Sequence, residues 1–139
     1  RTFAQKLHMN LAIVDKRRQK ANQCEVMNVI GDVAGKDCIL FDDMVDTAGT
    51  LTKAADMMMD QGARSVRAVC THAVLSGEAC ERIAASSLAE LIVTDTIPIS
   101  AEKLAITSKI KPLSVAQLFS DVIRRVRSHE SISSHFIIA

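Results

Sequence analysis

Cys38-Ile39-Leu40-Phe41-Asp42-Asp43-Met44-Val45-Asp46-Thr47-Ala48-Gly49-Thr50 is the stretch whose reading decides the fold. Four apolar residues run into two adjacent carboxylates, a third carboxylate follows, and small and hydroxylated residues surround a glycine. A short unbroken apolar run bounded by polar residues predicts a strand buried on both faces, as in a parallel sheet. Leu51, Ala54, Ala55 and Met58 then recur at i, i+3, i+4 and i+7, which gives the next segment one apolar helical face. The acidic and hydroxyl cluster is therefore expected in a strand-to-helix turn, at the carboxyl end of a strand. Ligands of open α/β sheets bind at that edge.

The turn has the composition of an anion cradle. Asp46-Thr47-Ala48-Gly49-Thr50 carries no bulky side chain, so its backbone N–H groups can approach an anion closely. Thr47 and Thr50 add hydroxyl donors, and the positive end of the helix dipole points at the same spot. Asp42 and Asp43, just upstream, could accept hydrogen bonds from sugar hydroxyls or hold a divalent cation. Phosphate donors beside paired carboxylates suit a sugar phosphate better than bare phosphate. Taken singly, Asp46 or Thr50 could be no more than a helix cap; the whole ordered cluster reads as a ligand site.

Phe41 to Thr50 resembles the phosphoribosyl-diphosphate (PRPP) binding motif of the type I phosphoribosyltransferase fold. In its Asp-Asp-Met-Val-Asp-Thr-Ala-Gly-Thr form it is most similar to the ribose-phosphate diphosphokinase (PRPP synthetase) family. The resemblance implies an α/β fold, a parallel sheet flanked by helices, and residues 1–139 as a C-terminal phosphoribosyltransferase-like domain. Because Arg1 is not a methionine and a helix-like pattern opens the chain, we expect a fragment of something longer, with the family's upstream domain absent.

The rest of the composition fits one α/β domain. The 139 residues are 48% hydrophobic and 3% aromatic, an aliphatic, alanine-rich balance suited to helices on a sheet. A formal charge of +1 suggests neither nucleic acid nor an anionic membrane as partner. Cys24, Cys38, Cys70 and Cys80 show no Cys-x-x-Cys spacing, and Cys38 and Cys70 fall in apolar runs. They read as structural thiols of a reducing cytosol, with no zinc site. No apolar run approaches the roughly 18 residues of a membrane span and no signal peptide is evident, so a soluble, cytoplasmic chain is expected.

Taken in order, Thr2 to Met9 reads as the tail of a helix and Leu11 to Val14 as a strand. Asp15-Lys16-Arg17-Arg18-Gln19-Lys20 breaks the periodicity and reads as a basic loop, either solvated or closing over a polyphosphate. The resemblance favours the second: Asp15-Lys16-Arg17-Arg18 matches the family's catalytic flexible loop, which assigns catalysis to Lys16 and Arg18. Glu25 to Ile30 is expected as a strand, Gly31 to Lys36 as a turn, and Gly62 as the stop of the helix after the turn. Val66 to Cys70 and Leu91 to Val93 read as further strands. His72 falls at a strand end, where a lone histidine is more often a hydrogen-bonded neighbour than an acid or base. Ser76 is expected to cap a helix over Glu78 to Ala85. Ile97-Pro98 opens an irregular loop in which Lys103, Lys109 and Lys111 read as ordinary surface. Ser114 and Gln117 form a capping box for a helix carrying Val115, Leu118, Phe119, Val122, Ile123 and Val126.

The resemblance also implies an activity: transfer of diphosphate from ATP to ribose 5-phosphate, giving PRPP and AMP. Asp46, Thr47, Ala48, Gly49 and Thr50 would hold the 5-phosphate, and Asp42 and Asp43 would orient the ribose hydroxyls with Mg²⁺ as cofactor. The tail from Glu130 resembles the family's C-terminal signature, which implies a regulatory role for Ser131 and Ser133. Family members form homo-oligomers, commonly hexamers. Two other readings stay open on the motif alone: a phosphoribosyltransferase that uses PRPP with a nucleobase, and a non-catalytic sugar-phosphate module. Without the upstream segment this chain alone is expected to be an incomplete active site and inactive.

Overall fold

Strands and helices alternate through the middle of the chain because short aliphatic runs are separated by amphipathic segments of helical period. The structure, a computed structural model, describes residues 2–17 and 26–136. Helix α1 (Thr2–Lys6) is followed by β1 (Ile13–Arg17), β2 (Val26–Ile30), β3 (Asp37–Val45) and α2 (Gly49–Asp60). Then come β4 (Ser65–Ala73), α3 (Ala79–Ala85), β5 (Leu88–Thr94), α4 (Ala101–Ile106), β6 (Ile110–Leu113) and α5 (Ala116–Arg127). The strands form a parallel four-stranded sheet, order β3-β4-β5-β6, and a separate antiparallel pair, β1-β2. The first two strands thus stand outside the parallel sheet, as an antiparallel pair whose register runs from Ile13↔Ile30 to Arg17↔Val26.

The register of the parallel sheet puts Val66, Ala68, Cys70, Leu91, Val93 and Ile110 on one face, and all are buried. Leu51, Ala55 and Met58 of α2 and Ala79, Cys80 and Ile83 of α3 join them in one core. The other face is more open. On β3, Ile39 is 40% and Phe41 55% exposed. The expectation of a strand buried on both faces is corrected: β3 is an edge strand of the described sheet, and its Ile39 and Phe41 side is exposed.

Helix α2 stops where glycine allows it. Gly62 adopts φ 87° and donates to Met59 O, while Ala63 donates to Met58 O. These are the paired bonds of a Schellman motif. The irregular loop expected after Ile97 instead holds α4 and β6. Pro112 is accommodated because β6 is the far edge of the sheet, where a missing N–H costs no ladder bond.

Two expected caps do not form. Glu78, not Ser76, precedes α3, and Ser76 donates its N–H to Asp46 O. Val115 precedes α5; Ser114 Oγ accepts from Ala116 N, and Gln117 Nε2 donates to Asp121 Oδ1. The work of the cap passes to Asp95, whose Oδ1 accepts from Val115 N at 2.9 Å. Helix α5 has the expected apolar stripe, but no residue of it is buried.

Lys103 and Lys109 are anchored rather than plain surface. Lys103 Nζ donates to Leu75 O, and Lys109 Nζ donates to Ala84 O and Ser86 O at the C-terminal end of α3. Cys70 and Cys80 are buried, Cys38 is half-buried, and all three are free thiols pushed up by burial. Cys24 lies outside the described residues. Among the described residues no helix is long and apolar enough to cross a membrane.

Candidate functional site

Asp42 and Asp43 are strand residues, not turn residues: β3 continues to Val45. Alternation along a strand sends them to opposite faces. Asp42 shares its side with Leu40 and, across the ladder, with Cys70; Asp43 shares the side of Phe41. Partial burial pushes the Asp42 carboxyl up from its ordinary value, and Asp42 Oδ1 accepts the N–H of Asp43 at 2.9 Å.

Asp46, Thr47 and Ala48 make the turn, while Gly49 and Thr50 are already the first residues of α2. The turn is tight enough to put Ala48 at φ 59°, ψ 0°, a left-handed conformation unusual for a residue with a Cβ. Ala48 is buried, so the methyl is used as packing while the backbone reverses. The first amides of α2 have no carbonyl one turn back within the helix, which leaves the helix start suited to an anion.

The turn is held by bonds to its carbonyls. Val45 O accepts from Val74 N at 3.0 Å and from Leu75 N at 3.1 Å, and Asp46 O from Ser76 N at 3.0 Å. Thr47 O accepts from Arg82 Nη1 at 2.9 Å, and Ala48 O from Thr52 N and Thr52 Oγ1, both at 3.0 Å. Leu75, itself at φ 52°, is buried, and Lys103 Nζ holds its carbonyl at 2.8 Å. Arg82 and Lys103 help hold the turn, which their sequence positions do not show. In the sequence Arg82 shows only a Glu four residues earlier, the pattern of an ordinary surface pair on a helix, and that pair does form at 3.3 Å.

His72 lies next to the site on β4, opposite Met44. Its Nδ1 is 2.9 Å from Thr96 Oγ1, and the hydroxyls of Thr94 and Thr96 both reach Thr71 O. His72 is thus a hydrogen-bonded neighbour.

The remaining sequence candidates lie elsewhere. Lys16 was expected in a loop; its backbone belongs to β1, opposite Met27. Arg18 lies outside the described residues. Ser131 and Ser133 form a local turn, Oγ to Oγ at 3.0 Å, and Ser131 O accepts from Arg125 Nη1 of α5. Among the described residues no group of three or more His, Cys, Asp or Glu could hold a metal ion. A mostly apolar cleft of about 650 Å³ runs between β1 and β3, and Leu11, Ile13, Phe41, Asp42 and Thr50 are among the residues that line it.

Similarity to known proteins follows the same stretch. The family described as phosphoribosyl synthetase-associated domain matches residues 12–137. The ribose-phosphate pyrophosphokinase of Campylobacter jejuni is 56% identical over 137 residues, 99% of this chain and 43% of that protein. The protein of the same name from Helicobacter hepaticus is 57% identical over 136 residues, 98% of this chain and 43% of that protein. The crystal structure of phosphoribosylpyrophosphate synthetase from Mycobacterium smegmatis superposes with a TM-score of 0.81 at 38% identity, covering 91% of this chain and 40% of that one. The chain spans less than half the length of these relatives.

Proposed function

The chain belongs to the phosphoribosyl synthetase-associated domain family, and from that premise we propose that it is the sugar-phosphate half of a ribose-phosphate diphosphokinase. In the reaction the 1-hydroxyl oxygen of ribose 5-phosphate bonds to the β-phosphorus of ATP. The bond from that phosphorus to the α-phosphate oxygen breaks, AMP leaves with the electron pair, and the hydroxyl proton is lost to solvent. The products are PRPP and AMP. Such a transfer needs positioning and charge neutralisation more than covalent chemistry.

The single observation that carries the reading is the run Asp42 to Thr50 folded as strand end, tight turn and helix start. The amides of Asp46 to Thr50 and the hydroxyls of Thr47 and Thr50 bind the 5-phosphate. Asp42 and Asp43 accept from ribose hydroxyls on the two sides of β3. Lys16 and Arg18 stabilise charge on the ATP phosphates. Mg²⁺ takes one or two carboxylates plus substrate phosphates and water rather than a protein cage, so the absence of a three-ligand cluster among the described residues is compatible with Asp42 or Asp43 as its protein ligand. When bound, the ion supplies charge neutralisation at the phosphates. The reading carries with it a cytoplasmic homo-oligomer, hexameric in the family, and a share for Ser131 and Ser133 in a regulatory phosphate site.

The test is AMP release by the intact parent protein. ATP should give AMP only when ribose 5-phosphate is present, and Lys16→Ala should lower turnover by about a hundredfold, the loss typical of one donor to a charged transition state. Consumption of PRPP with a nucleobase and no AMP release would replace this reading with a phosphoribosyltransferase. Unchanged turnover in Lys16→Ala would remove the loop assignment.

A further inference from the structure

Consecutive carbonyls from Val45 to Ala48 are each claimed by a donor, and the donors differ in kind. Backbone N–H groups hold Val45 O, Asp46 O and Ala48 O. Thr47 O is held by a side chain, Nη1 of Arg82 at 2.9 Å. All described peptide bonds are trans, and in a trans peptide the C=O and the following N–H point in opposite directions. Fixing each carbonyl therefore fixes the next amide. Asp46, Thr47, Ala48 and Gly49 turn their N–H groups away from the residue 74–82 segment and from Thr52, as a run of amides at a helix start suited to an anion.

The Thr47–Ala48 peptide is the one with a reason to turn over. Ala48 is held at φ 59°, which an L-residue adopts at a cost. A flip of that peptide would carry Ala48 out of the left-handed region. It would also aim the Thr47 carbonyl, in place of the Ala48 N–H, at the anion.

We infer that Arg82 is a positioning residue that holds the Thr47–Ala48 peptide in the anion-binding orientation. The guanidinium acts through Thr47 O, with its second amino group on Glu78 Oε2 at 3.3 Å. The inference rests on the reading of Asp46 to Thr50 as a phosphate loop, and names the side chain that keeps the loop ready before ligand arrives. It also explains why an arginine so close to the loop makes its bond to the loop's backbone.

The experiment is a titration of this 139-residue chain with ribose 5-phosphate, followed by amide NMR. Arg82→Met, which keeps the stem and removes the donors, should weaken binding about tenfold, the discounted loss of one charge-assisted bond on a half-exposed group. Arg82→Lys, which can still donate to Thr47 O, should recover most of it. In the ligand-free Arg82→Met chain the Ala48 amide and Thr47 carbonyl resonances should move or broaden, while those of β4 and β5 stay in place. If wild type binds and Arg82→Met binds equally well, the positioning role is overturned and the loop reading stands. Weakened binding with unperturbed Ala48 and Thr47 resonances in the free chain would also overturn it, in favour of direct contact with the phosphate. Wild-type loop amides that do not respond would remove the loop reading, and this inference with it. If Arg82→Met fails to fold, Arg82→Lys decides the matter: a free-state Ala48 amide and an affinity that stay native together or shift together support positioning, and one that moves without the other overturns it.

Discussion

Substitutions at Ala48 test whether the turn is built as described. Ala48 sits at φ 59°, ψ 0° with 5% of its surface exposed. Left-handed backbone costs an L-residue about 1–2 kcal/mol, and glycine does not incur it. Against that gain, Ala48→Gly loses one buried methyl, about 0.8 kcal/mol, and frees the unfolded chain by about 0.4–1 kcal/mol. These opposing contributions should leave Ala48→Gly within about 1 kcal/mol of wild type. Ala48→Val keeps the backbone cost, adds the crowding of a β-branched residue at positive φ, and forces two methyls into a filled site. Overpacking of this kind costs about 1–3 kcal/mol, so the valine variant should lose about 2–4 kcal/mol in all. An ordinary helix position gives the reverse order, with glycine about 1 kcal/mol below alanine and valine about 0.5. Urea unfolding of the three chains, compared at a common slope, reads the difference directly. A valine variant as stable as the glycine variant would refute the left-handed turn and the cradle argued from it.

Three further outcomes follow from residues outside the turn. Lys109→Met removes the ammonium that bonds Ala84 O and Ser86 O at 2.9 and 2.7 Å. It should cost about 1–2 kcal/mol, with amide hydrogen exchange rising first at the C-terminal end of α3. Ile83→Ala empties a fully buried site in the core and should cost about 2–5 kcal/mol in urea unfolding. Asp37 accepts side-chain bonds from Arg64 and Ser65, which hold its carboxyl well below the ordinary value of 3.8. The stability its ionised form contributes is fully present above that unfolded value and is lost as pH falls through the folded one. Asp37→Asn should therefore flatten the fall of the urea midpoint between about pH 4 and pH 2; an unchanged acid limb would contradict the pairing.

The middle of the fold was legible because its signals are local. Leu51, Ala54, Ala55 and Met58 repeat at helical period and are buried on α2, and Gly62 stops that helix in the left-handed conformation a stop signal implies. What was not legible depends on partners far along the chain. Ser76 and Ser114 carry hydroxyls suited to caps, but the amide of Ser76 is taken by Asp46 O and the start of α5 by Asp95. Lys103 and Lys109 read as ordinary surface in sequence, and each reaches a carbonyl 25 or more residues away, at Leu75 and Ala84, while Arg82, whose one local sequence signal is Glu78, reaches Thr47 O. Helix α4 and β6 were missed because six and four residues give too little periodicity to register. Isolated apolar runs also carry no statement of neighbours, so β3 reads as central in sequence and lies at an edge of the described sheet.

That edge position bears on the two carboxylates. In a turn, Asp42 and Asp43 could close on one cation together; in an extended strand they diverge. Asp42 lies on the side of Leu40 and Cys70, where partial burial raises its carboxyl, and its charge adds to the burial that raises the Cys70 thiol. Asp43 lies on the side of Phe41, which is exposed. If both accept from ribose hydroxyls, they do so from different sides of the strand. As pH falls, Asp42 takes up its proton above the ordinary value of 3.8, and a protonated carboxyl is a poorer acceptor. Ribose 5-phosphate affinity should therefore weaken on the acid side in a way that Asp42→Asn removes and Asp43→Asn leaves in place. The titration of the ligand's own phosphate is common to all three chains and cancels in the comparison. An acid limb that survives Asp42→Asn unchanged would mean that the Asp42 carboxylate does not accept from the sugar, and would overturn its place in the site.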